Sequence, residues 1–323
     1  MTQLDDHAPD PAETRRVLLL AHTGRAEARE VARAFVESLS GHGVHVRLMS
    51  QEAADLDLVP DRDGLLVEVV DGEPDAGHGC ELAVVIGGDG TILRAAEITH
   101  DSGTPVLGIN LGHVGFLAEA EVDAVDTTIQ AIVDRRYTTD DRLTLDVRVT
   151  QDGEVVWRSF ALNEASVEKA ARERMLEVVL EIDDRPLSRW GCDGVVCATP
   201  TGSTAYSFSA GGPVVWPGVE AVTVVPLSAH ALFARPLVVA PTSVVAIEVL
   251  TRSDGAGVLW CDGRRTVDLP PGARIEVRSG ATPVRLVRLH QAPFTDRLVA
   301  KFDLPVAGWR GAGERRRREG DPR

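Results

Sequence analysis

Lysine is nearly absent from this chain of 323 residues: Lys169 and Lys301 are the only two. Neither sits in a Gly-Lys-Ser/Thr context, which excludes the P-loop device for holding phosphates. No GxGxxG follows a strand-like run, so the dinucleotide fingerprint is missing as well. The four cysteines (Cys80, Cys192, Cys197, Cys261) contain no CxxC pair and show no zinc-ligand spacing; they read as reduced, packing residues. Excess basic charge is lacking too. The net charge is −15, which argues against nucleic acid or an anionic membrane surface as a partner. No apolar run approaches the roughly 18 residues needed to span a bilayer. The acidic N-terminus has no apolar signal core, and the expected location is cytoplasmic.

What is present is a large apolar fraction, 44%, enough for two domains. Residues 81–100, ELAVVIGGDGTILRAAEITH, organise the rest. Leu82 to Ile86 (LAVVI) has the β-branched character of a buried parallel strand. Gly87, Gly88 and Gly90 interrupt it around one acid, Asp89. Thr91 is a candidate N-cap, and Ile92, Ala95, Ala96 and Thr99 recur at helical spacing. Strand, glycine turn and helix N-terminus make a phosphate-facing arrangement, because free N–H groups and the helix dipole converge there. The acid is the anomaly. A carboxylate about 4 Å from a phosphate charge is repelled by roughly 4 kcal/mol at an effective dielectric near 20. Either a cation intervenes or the acid handles a proton.

Around this stretch, strands at 15–22, 44–49 and 104–110 alternate with helices at 27–39 and 122–135, the first with Val31, Phe35 and Leu39 on one face. That alternation predicts an α/β domain with a parallel sheet over 15–141, after a disordered acidic tail at 1–14. Residues 50–79, rich in Asp, Gly and Pro, read as a surface loop with one weak strand at 65–70. From residue 142 the period becomes two. LTLDVRV alternates strictly, a turn follows at Gln151, Asp152 and Gly153, and short strands recur to residue 290, with Asp-Gly hairpin turns at Asp254 and Asp262. This half is expected to be an all-β sandwich over 142–290. Residues 291–311, with a helix at 292–303, would return to the first domain, and 312–323 would be a disordered tail in which the RRRR run is solvated charge.

Two further stretches carry chemistry. In WGCDGVVCATPTGSTAYSFSAGGP (190–213), a strand at 195–199 runs into glycines and the hydroxyls of Thr201, Ser203, Thr204, Ser207 and Ser209, with Tyr206, one of only two tyrosines. Uncharged donors and acceptors beside an aromatic face suit the sugar and base of a nucleotide. Asn163 and Glu164, at the end of an alternating strand, could hold a ribose diol, the amide donating and the acid accepting.

GGDGT at 87–91, the Asn163–Glu164 pair, GCDG at 191–194 and TPTGSTAYSFSAGGP at 199–213 together resemble the NAD kinase family. LGHVGF at 111–116 and the closing APFTDRL and LPVAGWRG segments are similar to its actinobacterial members. The resemblance covers residues 15–311. It implies the two-domain fold already read from the residues, with the site between the domains and across a subunit contact of a homodimer or homotetramer. It implies phosphorylation of the 2′-hydroxyl of the adenosine ribose of NAD, with ATP or inorganic polyphosphate as donor and a divalent cation, Mg2+, as cofactor. By motif, Asp89 takes the catalytic role with Gly90 in the same loop. Asn163 and Glu164 would bind the ribose and adjoining parts of NAD, and Asp193 the nicotinamide end. Thr204, Ala205, Tyr206, Ser207, Phe208 and Ser209 would meet the adenosine portion, with Tyr206 at the base. Arg94 and Arg174 fall where members tend to carry a basic residue and could meet phosphates. His230 lies in a segment similar to a family motif, and a packed or surface histidine is the alternative. GGDGT is shared with lipid kinases of the diacylglycerol type, which would show a basic or apolar membrane-facing surface. A non-catalytic NAD sensor would have little reason to retain Asp89.

Overall fold

Buried aliphatic runs define the first sheet. In the computed structural model, which describes residues 14–60, 64–72, 76–112, 115–121, 124–171, 174–251, 255–290 and 293–306, β1 (Arg16–Ala21), β2 (His45–Met49), β3 (Val67–Val70), β4 (Leu82–Ile86) and β5 (Val106–Asn110) pair in parallel. Every residue of β4 is sealed from solvent. Each large aliphatic side chain buried this way contributes about 1.5–3 kcal/mol. Helix α1 (Ala26–Gly41) buries Val31, Phe35 and Leu39 on one face of the sheet, as their spacing predicts, and contacts α4 (Val125–Val133). Helix α3 (Asp89–Thr99) packs into a separate apolar cluster through Ile92, Ala95, Ala96 and Ile98. The short β6 (Ala120–Glu121) pairs with β5.

The described residues of 50–79 form more than a surface loop with one weak strand. They contain α2 (Ser50–Asp55) and the parallel strand β3. The helix is only six residues long, too short to register as a period in acidic sequence. The N-cap of α3 is Gly88 rather than Thr91, and Asp89 is its first residue.

The second half is a sandwich of two antiparallel sheets. After β7 (Thr138–Arg142) come β8 (Leu145–Gln151), β9 (Glu154–Ala161), β10 (Glu164–Lys169), β11 (Leu176–Ile182), β12 (Arg185–Cys192) and β13 (Gly194–Ala198). A single-turn α5 (Tyr206–Ser209) precedes β14 (Val222–Leu227), β15 (Leu237–Val239), β16 (Val245–Val249), β17 (Gly257–Cys261), β18 (Arg265–Leu269), β19 (Arg274–Ser279), β20 (Val284–Arg288) and α6 (Phe294–Phe302). One sheet runs β15-β14-β13-β10-β17-β18 and the other β12-β11-β16-β19-β8-β9. Alternate residues of β8 and β11 enter the shared core around Trp190. All four cysteines are free and buried.

One strand crosses the expected division. The alternating run at 284–290 forms β20, but it joins the α/β sheet, parallel to β5 and antiparallel to β7. Alternation marks a strand without saying which sheet takes it. The central strand β10 carries no strand signal, because Glu164, Ser166 and Glu168 dilute it. The turn expected at Asp254 lies outside the described residues, as do the expected tails except Thr14.

Candidate active site

The order β3-β2-β1-β4-β5 reverses direction between β1 and β4. In an open parallel sheet, ligands bind outside the carboxyl ends of the strands at such a switch point. A cleft of about 670 Å³ opens there, lined by residues 21–25 after β1, by Gly88, Gly90, Thr91 and Arg94 after β4, and by Asp262, Gly263 and Arg264 of the sandwich. The two sheet loops are held together by the His22 N–H, which donates to the Ile86 carbonyl at 2.9 Å. The N-termini of both α1, whose N-cap is Arg25, and α3 begin at this cleft. Their first N–H groups and dipoles favour an anion. Arg94 is steadied by Glu52 at 2.5 Å and Arg264 by Glu97 at 3.0 Å. Arg25 and Arg264 carry no motif and went unmarked in the sequence; they become visible only when two loops and a hairpin meet.

Asp89 does not dangle in the cleft. Its Oδ2 accepts the Phe116 N–H and its Oδ1 the Leu117 N–H, each at 3.2 Å. A Cβ on Gly115 would overlap this carboxylate, so glycine in LGHVGF is what lets the acid seat against that loop. Two amides fix the group and leave about half of a carboxylate's four or so acceptor positions open.

On the sandwich side, Asp262 is the Asp-Gly hairpin turn between β17 and β18, with φ at +53°. It is also the hub of the site. Its carboxylate accepts N–H bonds from Leu162, Asn163 and Glu164 at 2.9, 2.7 and 3.3 Å, and from Arg265 at 2.7 Å. Burial raises its pKa despite those donors. Asn163 and Glu164 are buried at the start of β10 rather than exposed in a turn. Burial, and then the neighbouring Asp262 charge, push the Glu164 carboxyl from 4.5 to about 8, against the Tyr206 N–H that it accepts. Glu164 Oε2 is buried without a hydrogen-bond partner.

The 199–209 loop is packed onto that pair. Thr199 Oγ1 donates to the Leu162 carbonyl at 2.6 Å, and its N–H to the Asn163 carbonyl at 2.9 Å. Gly202 approaches so closely that a Cβ would strike the Asn163 carbonyl oxygen. Thr204 donates to the Thr201 carbonyl and, with Ala205, is partly exposed. Tyr206 is 37% exposed, with its hydroxyl on Glu168. Ser207 turns inward and is fully buried, Phe208 stacks on Phe302 of α6 at 4.6 Å, and Ser209 is exposed. A second pocket, of about 250 Å³, joins Thr201, Thr204 and Trp216 to Phe116, Phe294 and Arg297 of the other domain.

Three expected residues lie outside the cleft, although the Asp193 charge still acts on the Tyr206 hydroxyl. Asp193 pairs with Lys169 at 2.5 Å, and this pairing with Ser228 lowers its pKa. It adjoins Gly194, which sits opposite Glu168, whereas Ala198 sits opposite Glu164. Five residues of strand, about 17 Å, therefore separate it from the Glu164 end. Arg174 is exposed beside Gly255, and His230 is exposed and bonded through its N–H to the Gly191 carbonyl.

An anion cleft at a parallel-sheet switch point, closed by buried acids of an antiparallel sandwich, is the plan of a two-domain phosphotransferase. Residues 17–137 match the ATP-NAD kinase N-terminal domain and residues 162–289 the ATP-NAD kinase C-terminal domain. The chain is 60% identical over 298 residues to NAD kinase 2 of Streptomyces avermitilis, covering 92% of this chain and 97% of that one. It is also 60% identical over 306 residues to NAD kinase of Thermobifida fusca, covering 94% and 93%. Among solved structures, yeast NADH kinase complexed with NADH superposes with a TM-score of 0.83 at 24% identity, over 92% of this chain and 89% of that one. The chain belongs to the NAD kinase family. That membership favours the kinase expectation over the lipid-kinase and sensor alternatives.

Proposed function

We propose that this chain transfers the terminal phosphoryl group of ATP to the 2′-hydroxyl of the adenosine ribose of NAD, giving NADP. The observation that carries the mechanism is the facing of two unlike surfaces. Two helix N-termini with Arg25 and Arg94 line one side of the cleft, and the hairpin that carries Arg264 and the Asp262 hub, which holds Asn163 and Glu164, closes the other. The first side suits the donor phosphates, and this chemistry would accept inorganic polyphosphate as well as ATP.

Asp89 accepts the 2′-hydroxyl proton through its free acceptor positions as that oxygen attacks phosphorus in line. A weak carboxylate base suffices, because a loose transition state makes positioning the main task. Glu164 carries a proton below about pH 8. It therefore donates from its carboxyl to a sugar oxygen, where an ionised acid would accept. Tyr206 and the aromatic pocket behind Phe116 offer faces for the bases of NAD.

Among the described residues no three His, Cys, Asp or Glu side chains converge as a metal cage. Asp262 is taken up by four N–H donors, and the open positions of Asp89 are those assigned to the 2′-hydroxyl, so the cation that fits is one carried by the donor phosphates. Mg2+ suits that role, and when bound it would neutralise the transferred charge. Asp193, remote from the cleft of its own chain, would complete the nicotinamide end of a second copy's site in a homodimer or homotetramer. No described helix is long and apolar enough to cross a membrane, and we place the reaction in the cytoplasm.

The test is direct. The protein is incubated with NAD, Mg2+ and either ATP or polyphosphate, and NADP is followed with an NADP-specific dehydrogenase. Formation with ATP is expected; none with either donor sinks the proposal.

A further inference from the structure

Helix α3 joins the two sides of the site through its two ends. Asp89 begins it and His100 is its C-cap, about 16 Å further on at 1.5 Å per residue. At that far end the helix meets the sandwich through a compact cluster. The His100 ring stacks on Phe160 of β9 at 3.7 Å with the planes 9° apart, and the Arg265 guanidinium lies 4.1 Å from the same ring centre. Glu97, on the same helix, accepts from Arg264 Nε at 3.0 Å and lies 3.9 Å from Arg265 Nε. Arg265 in turn holds Asp262, which holds the N–H groups of residues 162–164. A continuous set of contacts thus runs from the helix that starts with Asp89 to the backbone of Asn163 and Glu164.

Simple domain adhesion does not require this chemistry. Arg265 Nε and Nη1 and His100 Nε2 are buried without hydrogen-bond partners, a penalty that apolar residues of similar size would avoid. A guanidinium that touches Phe160, Glu97 and Asp262 together fixes direction as well as contact.

We infer that Phe160, Arg265 and Glu97 are positioning residues for phosphoryl transfer: they lock the far end of α3 to the sandwich and so set the separation between Asp89 and the Asn163–Glu164 segment. The inference rests on the kinase reading of the cleft for its effect on turnover. Its geometric content stands apart from that reading.

Three variants of the full chain test it: Phe160→Leu, which keeps apolar bulk but removes the aromatic face, Phe160→Tyr, which restores the face, and Glu97→Gln, partly exposed and expected to fold. Small misplacements of reacting groups are costly, so Phe160→Leu should lower kcat by about tenfold or more with KM for ATP unchanged. Phe160→Tyr should recover most of that loss, and Glu97→Gln should lower kcat by about threefold, since it loosens one of the contacts. Distances between spin labels on α1 and β12 should broaden in Phe160→Leu and Glu97→Gln and stay narrow in Phe160→Tyr. Variants that melt earlier but keep wild-type kcat and wild-type distance distributions would show packing alone and overturn the inference. A wild type that makes no NADP would refute the kinase reading, while the label distances would still decide the lock. If Phe160→Leu fails to fold, Glu97→Gln decides by both readouts.

Discussion

On the α/β side of the cleft, the groups that face a ligand are backbone N–H donors and arginines, mostly solvated and ready to meet an anion. On the sandwich side, Arg264 apart, they are carboxyls, almost wholly buried, whose charge the protein manages by N–H donors, by Arg265 and by protonation. The first surface has its electrostatics before any ligand arrives, whereas the second bears a standing desolvation cost that a bound sugar can relieve. A phosphate chain can bind on helix termini and arginines with little rearrangement. Choosing one hydroxyl of one ribose needs fixed, partly unsatisfied polar groups, because a site built to hydrogen-bond rejects what cannot return the bond.

Breaking the comparison at its centre should give the largest effect. Asp89→Asn keeps the shape and one of the two N–H contacts, since its NH2 cannot accept the other, and removes the proton acceptor. Its kcat should fall by about 10²–10⁴-fold, the range for a general base, while NAD affinity measured by calorimetry changes little. Turnover near that of the wild type would mean that Asp89 only caps the loop at residues 115–117.

Next comes the sandwich side. Gly202→Ala would drive the 199–205 loop away from the Asn163 carbonyl. An overpacking cost of about 1–3 kcal/mol is expected in thermal or urea unfolding. KM for NAD should rise while KM for ATP holds. Equal rises in both would show that the two sides are not separable.

The α/β side was the more legible half in the sequence, for a physical reason. A parallel strand, a glycine turn and a helix N-terminus are contiguous in the chain, so GGDGT displays its own architecture between Leu82 and Thr99. The sandwich side is assembled from residues far apart. Asp262 looks like an ordinary Asp-Gly turn, and it is one; that its carboxylate gathers three N–H groups about a hundred residues away follows only from the pairing of β10 with β17. Arg25 and Arg264 were invisible for the same reason. Asp193 shows the converse, a motif residue whose own chain holds it about 17 Å along the strand from the Glu164 end.

A smaller effect sharpens the contrast from the solvated side. Arg25→Ala removes one cationic hydrogen-bond donor from the helix termini. KM for ATP should rise by about tenfold, the equivalent of one charge-assisted bond, and the rise should shrink with added salt. NAD binding should be indifferent. A salt-independent loss would argue that Arg25 acts through the loop's shape.

The most diagnostic effect is a pH dependence of stability from Glu164. The unfolded carboxyl titrates near 4.5 and the folded one near 8, so the folded protein holds this proton more tightly. Its stabilisation is then complete below about 4.5 and is lost as pH rises through 8, the reverse of a salt-bridged acid. Glu164→Gln keeps an acceptor for the Tyr206 N–H and cannot ionise. Its melting temperature should therefore decline less than that of the wild type between pH 6 and pH 9. Parallel declines would place the Glu164 titration at its ordinary value and remove the donor role proposed for it at the sugar. A flatter profile in the variant would show that Glu164 is held neutral for its task within the buried half of the site.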